Sequence, residues 1–191
     1  MSINRPDAAA AAPYGLHPAS TMHAVAGGRA GAVASAALWS GGVASLATMA
    51  VLAYSGHRQR GSALAPVNAP SHWLWRDESL RQPGFTLRHT VPGYLIHHAS
   101  SVFWAAFFEH LLFDRPHYAP RTAALALTVA AVAAGVDLKL TPKRLTPGFE
   151  RQLQPLALTV MYGAFGLALY AVHAWRRRRG ERAREPGNKS S

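Results

Sequence analysis

Cysteine is absent from the 191 residues. That removes disulfides, thiolate nucleophiles and thiolate metal ligation together, and leaves His, Asp and Glu as the only strong ligands the chain can offer. Acidic residues are scarce, nine Asp and Glu against 20 Lys and Arg, for a formal net charge of +11. Also missing are a Gly-rich phosphate loop, a GxSxG nucleophile elbow and the closely repeated histidines that a di-iron membrane enzyme needs. No sequence motif therefore names a reaction.

The basic excess does not point to nucleic acid. Seven basic residues follow Trp175, in RRRRGERAREPGNKSS, and no aromatic residues are interleaved with these arginines as base-stacking platforms would require. Beside an apolar block, Arg176, Arg177, Arg178 and Arg179 read as a contact to anionic lipid headgroups, with about 1 kcal/mol per basic residue close to the surface.

What the chain has in quantity is apolar sequence gathered into blocks. Residues 31–54 are 24 positions without a formal charge, and residues 153–175 are 23 with only His173 ionisable; a bilayer crossing needs about 20. Two further blocks are 92–113, which has the length but contains His97, His98, Glu109 and His110, and 121–139, which is short and ends in Asp137 and Lys139. The expected fold is an all-α integral membrane bundle of about four transmembrane helices at 31–54, 92–113, 121–139 and 153–175. Residues 1–30, rich in Ala, Gly and Pro, read as a flexible tail. The transmembrane domain is then 31–175 with an extramembrane loop at 55–91, followed by a basic, disordered tail at 176–191. The first block outruns the usual signal-peptide core, so it reads as an uncleaved signal anchor.

The loops carry their own expectations. In SHWLWRDESLRQ, Ser71 is a possible N-cap for a short helix with Trp73, Asp77 and Leu80 on one side. The connection DRPHYAP is short enough to make the second and third spans antiparallel neighbours. In KLTPKRLTPGFERQ, Thr before Pro predicts a tight helical turn and then a fourth helix beginning near Pro147. Small residues at Ala37, Gly41 and Ser45, and at Gly163 and Gly166, are candidates for close helix packing. Lys and Arg number eleven on the side of the termini and nine on the other. The cluster next to the last span favours both termini in the cytoplasm of a bacterial-type membrane.

The ionisable residues inside the spans sort by depth. His98 and Glu109 share a helix face but are separated by a rise of about 16 Å, so they belong to two sites. One layer is His97, His98, Asp137 and Glu150, with Asp137 the expected partner of a histidine. The other is Glu109, His110 and His173. An ionisable group in hydrocarbon should face the bundle interior and be paired. Imidazole and carboxylate together suit a proton-linked relay, a metal site at His97, His98 and Asp137, or a buried pair that sets helix register. Two haems are excluded by the scarcity of histidine in the third and fourth spans, and one would have to join His110 to His173. No cofactor is expected. The partners are the bilayer and either a second copy or another membrane protein. The expected function is a non-enzymatic accessory or interaction component of the membrane. An ion- or proton-linked transporter using His97, His98 and Asp137 is the alternative, and a membrane-embedded metal-dependent enzyme the third.

Overall fold

Period and length place the helices. The chain runs through α1 (Pro18–Arg60), then three one-turn helices, α2 (Ala65–Asn68), α3 (His72–Trp75) and α4 (Asp77–Leu80), with a 3-10 turn at Ala69–Ser71. α5 (Leu87–Leu112) follows, then α6 (Ala119–Gly135) prolonged by a π turn at Val136–Leu140, a 3-10 turn at Phe149–Arg151, and α7 (Pro155–Arg184). This computed structural model describes residues 18–115 and 118–184, with side chains from residue 27 onward. No strand occurs among the described residues. Residues 1–32 form one unit and 33–191 a second. The described part of the first is the beginning of α1, whose residues 27–32 are exposed. The bundle belongs to the second unit.

Three stretches, Gly27–Arg60, Ala119–Leu140 and Pro155–Arg184, are long and apolar enough to cross a membrane. The third expected span thus proves longer than its sequence block, 22 residues, extended by Ala119 and Pro120 at its start and by Leu140 at its end. α5 has 26 residues, about 39 Å of helix, but its histidines and Glu109 make it less apolar than the other three.

Polarity is turned inside out. α1 buries Ala37, Ser40, Ser45 and Thr48 while exposing Leu38, Trp39, Val43 and Leu46. α5 buries His89, His97, Ser101 and Glu109 while exposing Leu95, Phe103, Phe107 and Leu111. Water would reverse that arrangement; lipid favours it, because apolar side chains are at home in hydrocarbon and polar ones need partners inside. His89, His97 and His98 of α5 therefore do not conflict with a membrane setting, since they face protein, whereas His110 is exposed.

Small residues set the approach of the helices. A β-carbon on Gly41 would lie 2.6 Å from Val102 Cα and 3.0 Å from the Ser101 carbonyl oxygen, so α1 meets α5 backbone to backbone. One on Gly166 would lie 3.1 Å from the Ala126 carbonyl oxygen, which brings α7 onto α6. Gly163, expected in the same role, has nothing within 4 Å. Phe108, Leu112, Phe165 and Leu169 fill the middle with Ala126 and Ala130.

Several expectations change. Helix α1 reaches back to Pro18 and α7 on to Arg184, so residues 18–30 and 176–184 are helical rather than tail; residues 1–17 and 185–191 lie outside the described residues. The Arg177–Glu181 pair at 2.9 Å, one turn apart, supports the end of α7. Ser71 is not a cap. It is buried and its hydroxyl donates to the Asn68 carbonyl and Ser79 Oγ, while the expected helix breaks at Arg76, φ 52°, into α3 and α4. The fourth helix starts at Pro155, not near Pro147. Before it, Gly148 takes φ 86°, and a β-carbon there would sit 2.7 Å from His72 Cδ2.

The segments 55–86 and 141–154 fold onto each other as a cap at one end of the bundle. The Thr146 carbonyl accepts from His72 Nε2 at 2.7 Å and Trp73 Nε1 at 2.9 Å, and Gln152 donates to the Leu80 carbonyl. Asn68, fully buried, donates to the Gln82 and Gly84 carbonyls and accepts from Thr90. Pro92 lies inside α5 and has no N–H for the carbonyl of Arg88. Trp75 Nε1 takes that place, donating to the Arg88 oxygen at 2.9 Å.

Candidate functional site

Helix α5 is the hub, and its buried face meets a different helix at each depth. Beneath the cap, His97 Nε2 and Thr48 Oγ1 of α1 are 2.8 Å apart. The Thr48 hydroxyl also lies 2.9 Å from the Ala44 and 3.0 Å from the Ser45 carbonyl oxygen of its own helix, which accept its single proton when Nε2 of His97 carries the hydrogen between the two side chains. Next to it, His98 Nδ1 bonds Ser45 Oγ at 2.9 Å, with Tyr94 Oη at 3.5 Å. Both histidines are thus held by hydroxyls of α1.

Asp137 takes a different partner from the one its depth suggested. Its Oδ2 accepts from Tyr162 Oη of α7 at 3.1 Å, and neither histidine is bonded to it. Asp137 lies in the π turn, where Thr141 N–H closes onto the Val136 carbonyl at 2.8 Å and the Thr141 hydroxyl donates to the same oxygen at 2.9 Å. An i→i+5 turn holds one residue more than an α turn. Glu150 lies close enough to act electrostatically on both Asp137 and Tyr162. One of its carboxylate oxygens, Oε2, is buried without a hydrogen bond.

Between these groups is a cavity of about 450 Å³. Its polar lining includes His97, Ser100, Asp137 and Tyr162, and its aromatic lining includes Trp73, Trp104 and Phe149. Ala99, Phe103 and Leu145 also border it and are exposed, so it opens sideways between α5 and the end of α6. Ser101 lines it too, with its hydroxyl donating to the His97 carbonyl. Among the described residues, no Lys or Arg lines it.

The second layer, about 18 Å further along α5, is a closed ion cluster. Glu109, 5% exposed, accepts from or pairs with His173 Nδ1 of α7 at 3.3 Å through Oε2, and Arg176 Nη1 lies 3.7 Å from its Oε1. The Phe108 ring packs edge-on against the His173 imidazole, centroids 5.7 Å apart. His110, assigned to this layer by depth, is exposed, which also separates it from His173 as a pair of axial ligands. Arg176 faces Glu109 rather than only headgroups, while Arg179 covers the Trp175 ring at 4.4 Å. The apolar block of Phe108, Phe165 and Leu169 divides the two layers.

Among the described residues, no three of His, Asp and Glu come together as metal ligands would. Nor is a nucleophile paired with a base and an orienting acid at the cavity: Ser100 has no such partner, and Ser101 is turned to its own backbone. A scan against protein-family models finds no match, and neither a search of curated proteins nor one of solved structures finds a similar chain.

Thr48, Trp104, Phe149 and Tyr162 were not singled out from the sequence, and Trp73 only as part of one side of a short loop helix. Tyr162 had a usable signal, a polar tip in an otherwise apolar block.

Proposed function

We propose that this protein is a non-enzymatic, polytopic component of a bacterial-type cytoplasmic membrane, both termini on the cytoplasmic side, that holds a small molecule with an apolar body in the cavity beneath its cap. The observation that carries the reading is that cavity. At about 450 Å³ it has the size of a small-molecule site, and its mainly apolar wall with a few convergent polar groups is the usual lining of one. In this reading α5 crosses the bilayer with the other three long helices, and the sideways opening admits the ligand from the lipid. The arginines at 176–179, adjoining the bundle, support the orientation of the termini.

Fluorescence tests it. Trp73 and Trp104 line the cavity, so a brominated alkyl probe is expected to quench the protein in a saturable phase superimposed on ordinary partitioning. Ser100→Phe, which fills the cavity from α5, removes that phase while leaving the thermal transition in place. Quenching that never saturates and is the same in both proteins rejects the site.

Proton-linked transport is the second reading, favoured by one observation: His97 and Asp137 border the same cavity. A relay through the bundle would have to pass the apolar block of Phe108, Phe165 and Leu169. Binding without transport predicts that proteoliposomes holding the wild-type chain show no more proton flux than Asp137→Asn or His98→Ala vesicles. Flux in the wild type that both substitutions abolish establishes transport instead.

A further inference from the structure

The cavity's charge pattern says more about its occupant than its volume does. Among the described residues, Asp137 is the only carboxylate on its wall, and no Lys or Arg shares that wall. Among the described residues, no basic nitrogen lies within ion-pair distance of Asp137 or Glu150. This contrasts with the other layer, where Glu109 has both His173 and Arg176. His97, the remaining basic group on the wall, is bound to Thr48. An acidic group in a poorly solvated place is costly to ionise alone and gains from a counter-ion brought to it.

The rest of the lining suits one kind of counter-ion. Trp73, Trp104, Phe149 and Tyr162 share the cavity wall with Asp137, and aromatic faces attract ammonium groups, the more so when water is excluded. The electrostatic reach of Glu150 adds negative potential from behind Tyr162. A bare metal ion is poorly served by one carboxylate, whereas an organic ammonium needs one carboxylate and ring faces. The exposed Phe103 and Ala99 at the opening suit an apolar substituent that continues toward lipid.

We infer that the cavity binds a lipophilic organic ammonium ion, its nitrogen against Asp137, with Trp73 and Trp104 alongside and its apolar body between α5 and the end of α6. This rests on the cavity being a binding site, as proposed above.

The test uses the full-length protein in nanodiscs of phosphatidylcholine, a lipid without net charge, and titrates by calorimetry an arylalkyl primary amine and the alcohol of the same carbon skeleton. The amine is expected to bind saturably and at least tenfold more tightly than the alcohol. Asp137→Asn, which keeps an acceptor for Tyr162, should erase that preference and leave the alcohol unchanged. Equal, saturable binding of amine and alcohol, unaffected by Asp137→Asn, rejects the cationic class while keeping the cavity as a site. No saturable binding of either probe rejects both the class and the site. If Asp137→Asn fails to fold, the amine-to-alcohol ratio on the wild type decides: a ratio near one overturns the inference.

Discussion

Glu109→Ala lowers the stability of the protein by about 3–5 kcal/mol, measured by denaturant titration in detergent and followed by the loss of helical circular dichroism. The carboxylate is 5% exposed and holds α5 to α7 through His173 and Arg176. Removing it takes the carboxylate away from His173, which is itself buried and packed against the Phe108 ring. The two basic partners are not equivalent, however. Arg176 is 34% exposed and its long side chain can swing toward water or headgroups, whereas His173 cannot leave. Replacing the carboxylate and the imidazole together by apolar groups, Glu109→Leu with His173→Phe, is expected to recover most of the loss, since the pair of buried polar groups is then removed as a unit. Glu109→Gln, which keeps an acceptor for His173, falls between. A double variant as unstable as Glu109→Ala shows instead that the ion cluster is a net source of stability.

Gly41→Val separates α1 from α5 and costs at least about 1–3 kcal/mol, with loss of the saturable quenching phase. The reason is geometric. A β-carbon at this position lies 2.6 Å from the Cα of Val102 and 3.0 Å from its nitrogen, and backbone atoms cannot turn aside as a side chain would. Relief requires α1 to move outward, and that pulls Ser45 from His98 and Thr48 from His97, whose bonds are 2.9 and 2.8 Å. The cavity loses its floor as a consequence. Gly163→Val is the control, for nothing lies within 4 Å of a β-carbon there, and it should change stability by less than about 0.5 kcal/mol. Comparable losses in the two variants would mean that valine acts through the helix itself and not through the α1–α5 contact. A neutral Gly41→Val would show that the helices do not approach in this way.

The two glycines show where reading a sequence stops. Both sit in apolar blocks with small neighbours at helical spacing, and nothing local distinguishes them. Gly41 faces a backbone and Gly163 open space, which depends on where α5 and α7 lie. The same holds for Asp137. Its depth was readable from its place near the end of a span, and depth put it level with His97 and His98. Its partner, Tyr162, depended on which way the side chain points and on where α7 lies, and neither follows from depth. His110 failed for the same reason: it shares the depth of Glu109, one position away, but lies on the exposed side of α5.

The chain ends and loops erred toward too little order. Ala-, Gly- and Arg-rich stretches flanking a span look like tails, yet α1 and α7 extend through them to Pro18 and Arg184. Ser71 and Thr146 looked like caps because that is their usual work near a helix start. In the folded chain the Ser71 hydroxyl goes to Asn68 and Ser79, and the Thr146 carbonyl to His72 and Trp73.

The sequence by itself determined that this protein is helical, that at least three of its helices can cross a membrane, and that His97 and His98 lie at a different depth of α5 from Glu109. These are properties of composition, length and rise, which run along the chain and need no knowledge of neighbours. Only the tertiary structure decided that the histidines belong to hydroxyls of α1, that Asp137 belongs to Tyr162 on the wall of a cavity, and that Glu109 is locked to His173 and Arg176. Those pairings depend on which faces of which helices meet, and that is set by backbone approach at Gly41 and Gly166 and by a cap folded from two distant loops.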